Sequence, residues 1–356
     1  MNKVRVLFLP PVDADNTNAQ SLNVREIVTR FDPERIESTL WYEREPDGRL
    51  LHCPGVHLLQ LPRWGKTPRI LKEQLSGYDI IAYMDYSPAS YLLVHIPRPL
   101  RGRAKEVFHA EGSTASIVNP SRLLRFLVDG VLPNCDAYTG VTEFVARDVA
   151  RVVHREVKYL LPVGVDTAFF TPPSKRHHAV PTVLFVGTLI ERKGPQQLLT
   201  AAARFPQATF RIVGAGRDGF ENVLRQNAEE LQVKNVTFEG PRAQLEVLDI
   251  MRNSDIFVLP SRLEGMPKVT LEAAATGLPC IVFRDYQTPS VVDGVTGFQV
   301  RTLDEMLSRL GQLISEPALR DDIGQNARKH AERFDWNLVS KRWEDAYLEI
   351  ASEHRH

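Results

Sequence analysis

The residues best equipped for chemistry lie in one stretch, Ser261-Arg-Leu-Glu-Gly-Met-Pro-Lys-Val-Thr-Leu-Glu272, where seven residues separate the carboxylates of Glu264 and Glu272. The apolar run Asp255-Ile-Phe-Val-Leu-Pro260 precedes it. Ala273-Ala-Ala-Thr-Gly277 follows and ends as a helix ends. The order is therefore strand, tight turn, helix. Gly265 lets a backbone come close to a ligand, and Pro267 suits the first helical position, where an N–H would have no acceptor. A helix start carries a partial charge of about +0.5 and offers N–H groups, a ready seat for phosphate. With a rise of about 1.5 Å per residue the two glutamates stand well apart, so each accepts hydroxyls on its own side of a diphosphate. That is the outline of a sugar nucleotide. The competing account is a plain buried strand and helix with two solvated glutamates; the Glu-Gly-Met-Pro turn and the Pro260-Ser261 strand end weigh against it.

A second group supplies the opposite charge. Gly187-Thr-Leu-Ile-Glu-Arg-Lys-Gly194 links a strand to a helix and places Arg192 and Lys193 beside the expected ligand crevice. Arginine grips phosphate oxygens with two N–H groups, and lysine adds a compact charge. The alternative is a solvated basic pair in a loop, which this placement disfavours. Gly214-Ala-Gly216-Arg-Asp-Gly219 is an unbroken G-x-G-x-x-G with Glu239 downstream as a ribose ligand, and taken alone it supports a dinucleotide-dependent oxidoreductase. That fingerprint normally follows the first strand of its unit, and here it follows the second.

His109 ends a strand within Val107-Phe-His-Ala-Glu-Gly-Ser113 and is expected to face the ligand from the first half of the chain, its neutral imidazole holding a substrate hydroxyl. Asp13-Ala14-Asp15 matches a metal-holding Asp-x-Asp pattern, but it lies in the first loop, where polar pairs arise by chance. Arg122 and Arg125, on an apolar helical stretch, and the run Trp64-Gly-Lys-Thr-Pro-Arg69 suit a lipid-linked or anionic acceptor. Arginine stems covering core helices are the blander account.

These groups need positioning. Apolar runs of strand length occur at 4–10, 38–42, 56–61, 78–84, 106–109 and 136–142, with helical patterns at 19–31, 68–75, 121–128 and 143–153. The rhythm restarts with strands at 181–187, 209–214, 235–239, 255–260 and 279–283. Helices at 194–204, 219–231, 245–252 and after Pro267 alternate with them, and three more cover 303–314, 317–334 and 336–351. Alternation of this kind predicts parallel sheets covered on both faces, with ligands at the carboxyl ends of the strands. The proline-bearing stretch 171–181 reads as an interdomain linker between domains at 1–170 and 182–334, with 335–356 a helix crossing back to the first.

A chain of 356 residues exceeds one comfortable core and predicts two domains. Lys plus Arg and Asp plus Glu are both 44, so bulk attraction to nucleic acid or an anionic membrane is not implied. Cys53, Cys135 and Cys280 are scattered without metal-ligand spacing, as in a reducing compartment. No run of about 18 apolar residues occurs, so the expectation is a cytoplasmic protein, at most peripheral to a membrane.

Together the motifs resemble retaining glycosyltransferase family 4, built on the two-domain GT-B architecture. The resemblance is carried by Val186-Gly-Thr-Leu-Ile-Glu-Arg-Lys-Gly194, Ile212-Val-Gly-Ala-Gly216, Phe238-Glu-Gly240, Val258-Leu-Pro-Ser261, Glu264-Gly-Met-Pro-Lys-Val-Thr-Leu-Glu-Ala273 and Asp293-Gly-Val-Thr-Gly-Phe298. Val141-Thr-Glu-Phe144 and Pro162-Val-Gly-Val-Asp166 add to it, so coverage is dense from about residue 135 to 300. The resemblance implies an α/β fold of two doubly wound Rossmann-like domains facing across a cleft. It also implies transfer of a sugar from a nucleoside-diphosphate sugar, UDP- or GDP-linked, to an acceptor hydroxyl, with retention and without a metal or other cofactor. Glu264 would hold donor-sugar hydroxyls, Gly265, Met266 and Pro267 the sugar and phosphate, Glu272 the ribose, and Arg192 and Lys193 the diphosphate. Gly187, Thr188, Gly214, Gly240 and Pro241 would complete the donor site, and His109 would approach the sugar from the first domain. Two departures stand out: Thr188 where the family often has arginine, and Asn16 to Ser21 in place of a Gly-Gly turn. Besides the oxidoreductase, a sugar-nucleotide epimerase or a silent binding module on the same architecture are the alternative readings.

Overall fold

A computed structural model of the protein describes residues 3–15, 18–62, 69–84 apart from 71 and 74, 103–112, 134–174 and 179–353. The expected helix over 121–128 with Arg122 and Arg125, most of the Trp64 to Arg69 run, Asn16, Ser113 and the basic group at 175–178 lie outside those residues. The chain divides into two compact units, one of Met1–Gly164 with Trp336–His356 and one of Val165–Asp335.

The first unit is built on a seven-stranded sheet. Its strands are β1 (Val4–Pro11), β2 (Ile36–Tyr42), β3 (Val56–Gln60), β4 (Ile80–Tyr83), β5 (Lys105–Ala110), β6 (Ala137–Gly140) and the two-residue β7 (Tyr159–Leu160). They lie in the order β3-β2-β1-β4-β5-β6-β7, all parallel. The apolar runs are continuous rather than alternating because central parallel strands are covered on both faces: Val6, Leu7 and Phe8 are all fully buried. Two helices start where side chains replace missing acceptors. Asn18 takes the Ser21 N–H at 2.7 Å to open α1 (Ala19–Val28), and Thr142 takes the Val145 N–H at 3.1 Å to open α2 (Glu143–Val153).

The second unit repeats the plan. It runs β8 (Thr182–Val186), α3 (Gln196–Arg204), β9 (Thr209–Val213), α4 (Phe220–Glu230), β10 (Val236–Gly240), α5 (Gln244–Arg252), β11 (Ile256–Leu259) and α6 (Lys268–Ala275). It continues through β12 (Cys280–Phe283), β13 (Gly297–Val300), α7 (Leu303–Ser315) and α8 (Pro317–Ala331). The sheet order is β10-β9-β8-β11-β12-β13, again parallel throughout, so each unit is a doubly wound, Rossmann-like α/β domain. Helix α8 lies so close to the end of α6 that a Cβ on Gly324 would stand 2.4 Å from the Gly277 carbonyl oxygen.

The division falls ahead of the 171–181 stretch. Thr171 belongs to the second unit, its carbonyl accepting from Arg252 Nε at 2.9 Å, and Val165 donates to the Phe334 carbonyl at 2.9 Å. The chain then re-enters the first unit as α9 (Trp336–Ser352). Trp343 and Tyr347 are buried; Tyr347 meets Phe8 edge-on at 5.8 Å, and Trp343 Nε1 donates to the Pro162 carbonyl at 3.2 Å. The end of α9 is capped from the sheet. Lys105, itself buried, donates from Nζ to the carbonyls of Ile350, at 2.5 Å, and Glu353, placing a cation on the negative end of the helix dipole. Because α9 supplies core, Trp343→Ala should lower the stability of the first unit by about 3–5 kcal/mol. Calorimetry resolving the two units is expected to show that transition alone moving down; an equal shift in both would contradict this division.

Candidate functional site

In an open parallel sheet a crevice forms where neighbouring strands send their following helices to opposite faces. In the second unit that point lies between β8 and β11: they pair directly, while the other neighbour of β8 is β9 and that of β11 is β12. The loops leaving their carboxyl ends are 187–194 and 260–267, which hold the basic pair and the glutamate turn.

The two loops touch. Gly194 has φ +72°, a conformation suited to glycine, and a Cβ there would lie 2.5 Å from the Pro260 carbonyl oxygen. This close approach turns the short 3-10 segment Glu191–Lys193 against the glutamate turn. Glu264 Oε1 lies 3.4 Å from Arg192 Nη1 and 3.2 Å from Lys193 Nζ, and it accepts the Ser261 hydroxyl at 2.8 Å. Arg192 also donates to the Leu263 carbonyl. The Glu264 side chain is 12% exposed and that of Arg192 42%, so the carboxylate sits below a more open cation.

Helix α6 begins at Lys268 with Pro267 as its extended cap, one residue later than the sequence predicts. Gly265, Met266 and Pro267 are buried. A chain of buried hydroxyls steadies this helix start. Thr270 Oγ1 donates to the Pro267 carbonyl at 2.7 Å and lies 2.7 Å from Ser290 Oγ, which is 2.8 Å from Thr288 Oγ1. Glu272, a turn further in, is half-buried; burial pushes its carboxyl up to about 7, with Lys268 pulling the other way.

Gly187, Gly214 and Gly240 belong to one stitched set of loops. Gly187 donates to the Val213 carbonyl at 3.0 Å and Gly214 to the Gly240 carbonyl at 2.9 Å. Gly214 has φ +143°, and a Cβ on it would fall 1.8 Å from the Gly187 carbonyl oxygen, so no other residue fits. A Cβ on Gly216 would meet the Glu221 Cβ at 2.7 Å. Two glycines of the G-x-G-x-x-G therefore have packing reasons, and the fingerprint ends β9, one strand away from the crevice. Glu239 pairs with Arg211 at 2.7 Å and Arg242 at 3.1 Å. Burial raises its carboxyl, yet the two arginines hold it below the usual range. Thr188 is half-buried in the β8 loop, and Pro241 is exposed just beyond β10.

His109 departs from expectation. It lies in the first unit, 2% exposed, with Nδ1 at 2.7 Å from Thr139 Oγ1 and Nε2 at 2.9 Å from the Tyr347 hydroxyl. Burial pushes its imidazolium down to about 3, so the ring is neutral, one nitrogen donating and the other accepting. Trp343 covers it at 4.9 Å. The ring therefore links β5, β6 and α9 in the interior of the first unit. Asp13 is likewise engaged, accepting the backbone N–H groups of Glu43, at 3.0 Å, and Arg44, at 2.6 Å.

Residues 169–330 match the model of the family described as Glycosyl transferases group 1. A D-inositol 3-phosphate glycosyltransferase of Corynebacterium jeikeium is 34% identical over 347 residues, covering 83% of each chain. A GDP-mannose-dependent monoacylated alpha-(1-6)-phosphatidylinositol monomannoside mannosyltransferase of Corynebacterium glutamicum is 31% identical over 208 residues, 51% of this chain and 54% of that one. Among solved structures, sucrose-phosphate synthase from Thermosynechococcus elongatus shares the fold with a TM-score of 0.82 at 18% identity, over 98% of this chain and 99% of that one.

The raised carboxyl of Glu272 has a consequence for stability. Between its ordinary 4.5 and about 7, the folded chain keeps a proton that the unfolded chain has released, so stability falls as pH rises through that window. Glu272→Gln should remove this slope and raise the denaturation midpoint at pH 8 but not at pH 4. Urea titrations at both pH values check it; equal midpoints at pH 8 would contradict the burial of this carboxyl.

Proposed function

The chain belongs to the group 1 glycosyl transferases, and from that premise we propose that it moves a sugar from a nucleoside-diphosphate sugar to an acceptor hydroxyl, with retention and without a metal. The observation that carries this reading is the meeting of Arg192, Lys193 and Glu264 at the switch point of the second sheet, ahead of the α6 helix start. The diphosphate lies between the basic pair and that helix start, where fixed N–H dipoles and cations stabilise the charge that grows on the leaving group. Glu264 accepts hydroxyls of the sugar, and Glu272 accepts those of the ribose. Gly187, Thr188, Gly214, Gly240 and Pro241 shape the nucleotide side.

In the step itself, the bond between the anomeric carbon and the phosphate oxygen breaks and the acceptor oxygen bonds to the same face of that carbon. The acceptor proton passes to a phosphate oxygen. His109, neutral and interior, holds β5 to α9 in the first unit. The donor is UDP- or GDP-linked; the GDP-mannose dependence stated for the Corynebacterium glutamicum relative supports including GDP-mannose. The first unit receives the acceptor, and the protein works in the cytoplasm, at most peripheral to a membrane. Among the described residues no helix is long and apolar enough to cross one.

A thermal-shift screen of UDP- and GDP-sugars, followed by transfer assays with the stabilising donor, tests the proposal. A ligand at one hundred times its dissociation constant stabilises by about 2.7 kcal/mol. Glu272→Ala should weaken donor binding about tenfold or more, roughly 1.4 kcal/mol, with the fold intact. Unchanged affinity in a calorimetric titration would remove Glu272 from the donor site, and absence of any sugar release or transfer would end the proposal.

A further inference from the structure

We propose that Glu264 makes the site discriminate against a diphosphate that carries no sugar, because without sugar hydroxyls to accept, its carboxylate competes with the diphosphate for Arg192 and Lys193. The inference rests on the donor reading above and goes beyond it. One oxygen, Oε1, gathers Arg192 at 3.4 Å, Lys193 at 3.2 Å and the Ser261 hydroxyl at 2.8 Å. The cations that a diphosphate needs are thus already paired with an acid that is 12% exposed; water screens the contact to the shielded Lys193 weakly and that to the more open Arg192 more strongly.

A diphosphate entering this seat brings negative charge beside a fixed negative charge. The conflict is relieved only if the carboxylate finds other donors. A sugar attached to the diphosphate supplies them as hydroxyls, so Glu264 exchanges two cations for sugar O–H groups while Arg192 and Lys193 turn to the phosphates. A bare nucleoside diphosphate supplies none, and its freed terminal phosphate carries an additional negative charge, which sharpens the repulsion. Ser261 holds Glu264 in the competing position through its 2.8 Å bond. After transfer, the same competition drives the product out: the sugar leaves, the carboxylate loses its donors, and it recovers the basic pair.

Removing an acid from the proposed substrate site should strengthen the binding of one class of ligand while weakening another. With the full-length chain, calorimetric titration of inorganic pyrophosphate, UDP and GDP should show Glu264→Gln binding them about threefold to tenfold tighter than the wild type, the range for a partly buried ion pair. UDP-glucose or GDP-mannose, whichever the wild type binds, should bind Glu264→Gln more weakly. Ser261→Ala should tighten pyrophosphate binding in the same direction by a smaller factor. Glu229→Gln, which removes an equal charge from the exposed face of α4, should leave all affinities unchanged. If Glu264→Gln is folded and binds pyrophosphate and both diphosphates no tighter than the wild type, the inference is overturned; if it does not fold, the same outcome in Ser261→Ala overturns it. Absence of diphosphate binding in every variant overturns it as well. A wild type that binds and transfers from a sugar nucleotide without this gain leaves the proposed function standing and removes the discrimination alone.

Discussion

The second unit depends on one constraint, the parallel pairing of β8 with β11. Ile256 lies opposite Val183 and Phe257 opposite Leu184, all four fully buried. A slip of one residue would turn each of these side chains to the other face, so the register is held by the covering on both sides. Because the chain leaves the two strands in opposite directions, their loops meet only at the carboxyl ends. That meeting brings Lys193 to Glu264 across a sequence gap filled by β9, β10 and the helices between them.

Close contact at such a point has to be rigid, and the molecule achieves this with backbone rather than with large side chains. Gly194 sits against the Pro260 carbonyl and Gly214 against that of Gly187, approaches that any Cβ would prevent. Buried hydroxyls do the corresponding work on the other side, where Thr270, Ser290 and Thr288 tie the α6 start to the loop after β12. The costly group, a half-buried Glu272 with a raised carboxyl, is thereby held in an arrangement that its own energetics would not select.

Much of this could be read from the residues. Apolar runs of four to eight residues separated by helical periods announce a doubly wound sheet, and the β8 to α6 segments lie where those runs place them. The glutamate turn and the basic loop were legible because loops at strand ends carry recognisable glycine, proline and charge. The two short strands β7 and β13 were missed, since two and four residues leave almost no periodic signal. Ser290 could not be linked to Thr270 because its partner is set by the fold and not by spacing. Nor could the sequence show that α9 closes over His109; a histidine at a strand end looks the same whether the space beyond it is open or filled by Trp343 and Tyr347.

The case of His109 follows from the same rule that located the basic pair. In the first sheet the order β3-β2-β1-β4-β5-β6-β7 puts the switch point between β1 and β4, because β1 continues to β2 and β4 to β5. His109 stands on β5, one strand beyond that point, where two neighbours and a covering helix enclose it. A strand-end residue is therefore most open to a ligand where its strand borders the reversal of order, and less so where a helix covers the strand end, as α9 covers His109. By that criterion the crevice of the first unit belongs to the loop after β1, where the Asp13 carboxylate is occupied by the backbone of Glu43 and Arg44 and Arg25 reaches the Asp13 and Ala14 carbonyls. Asp13 and Arg25 thus fix the backbone of that loop, just as the hydroxyl chain fixes the start of α6, and in both units buried polar groups shape the crevice wall from behind.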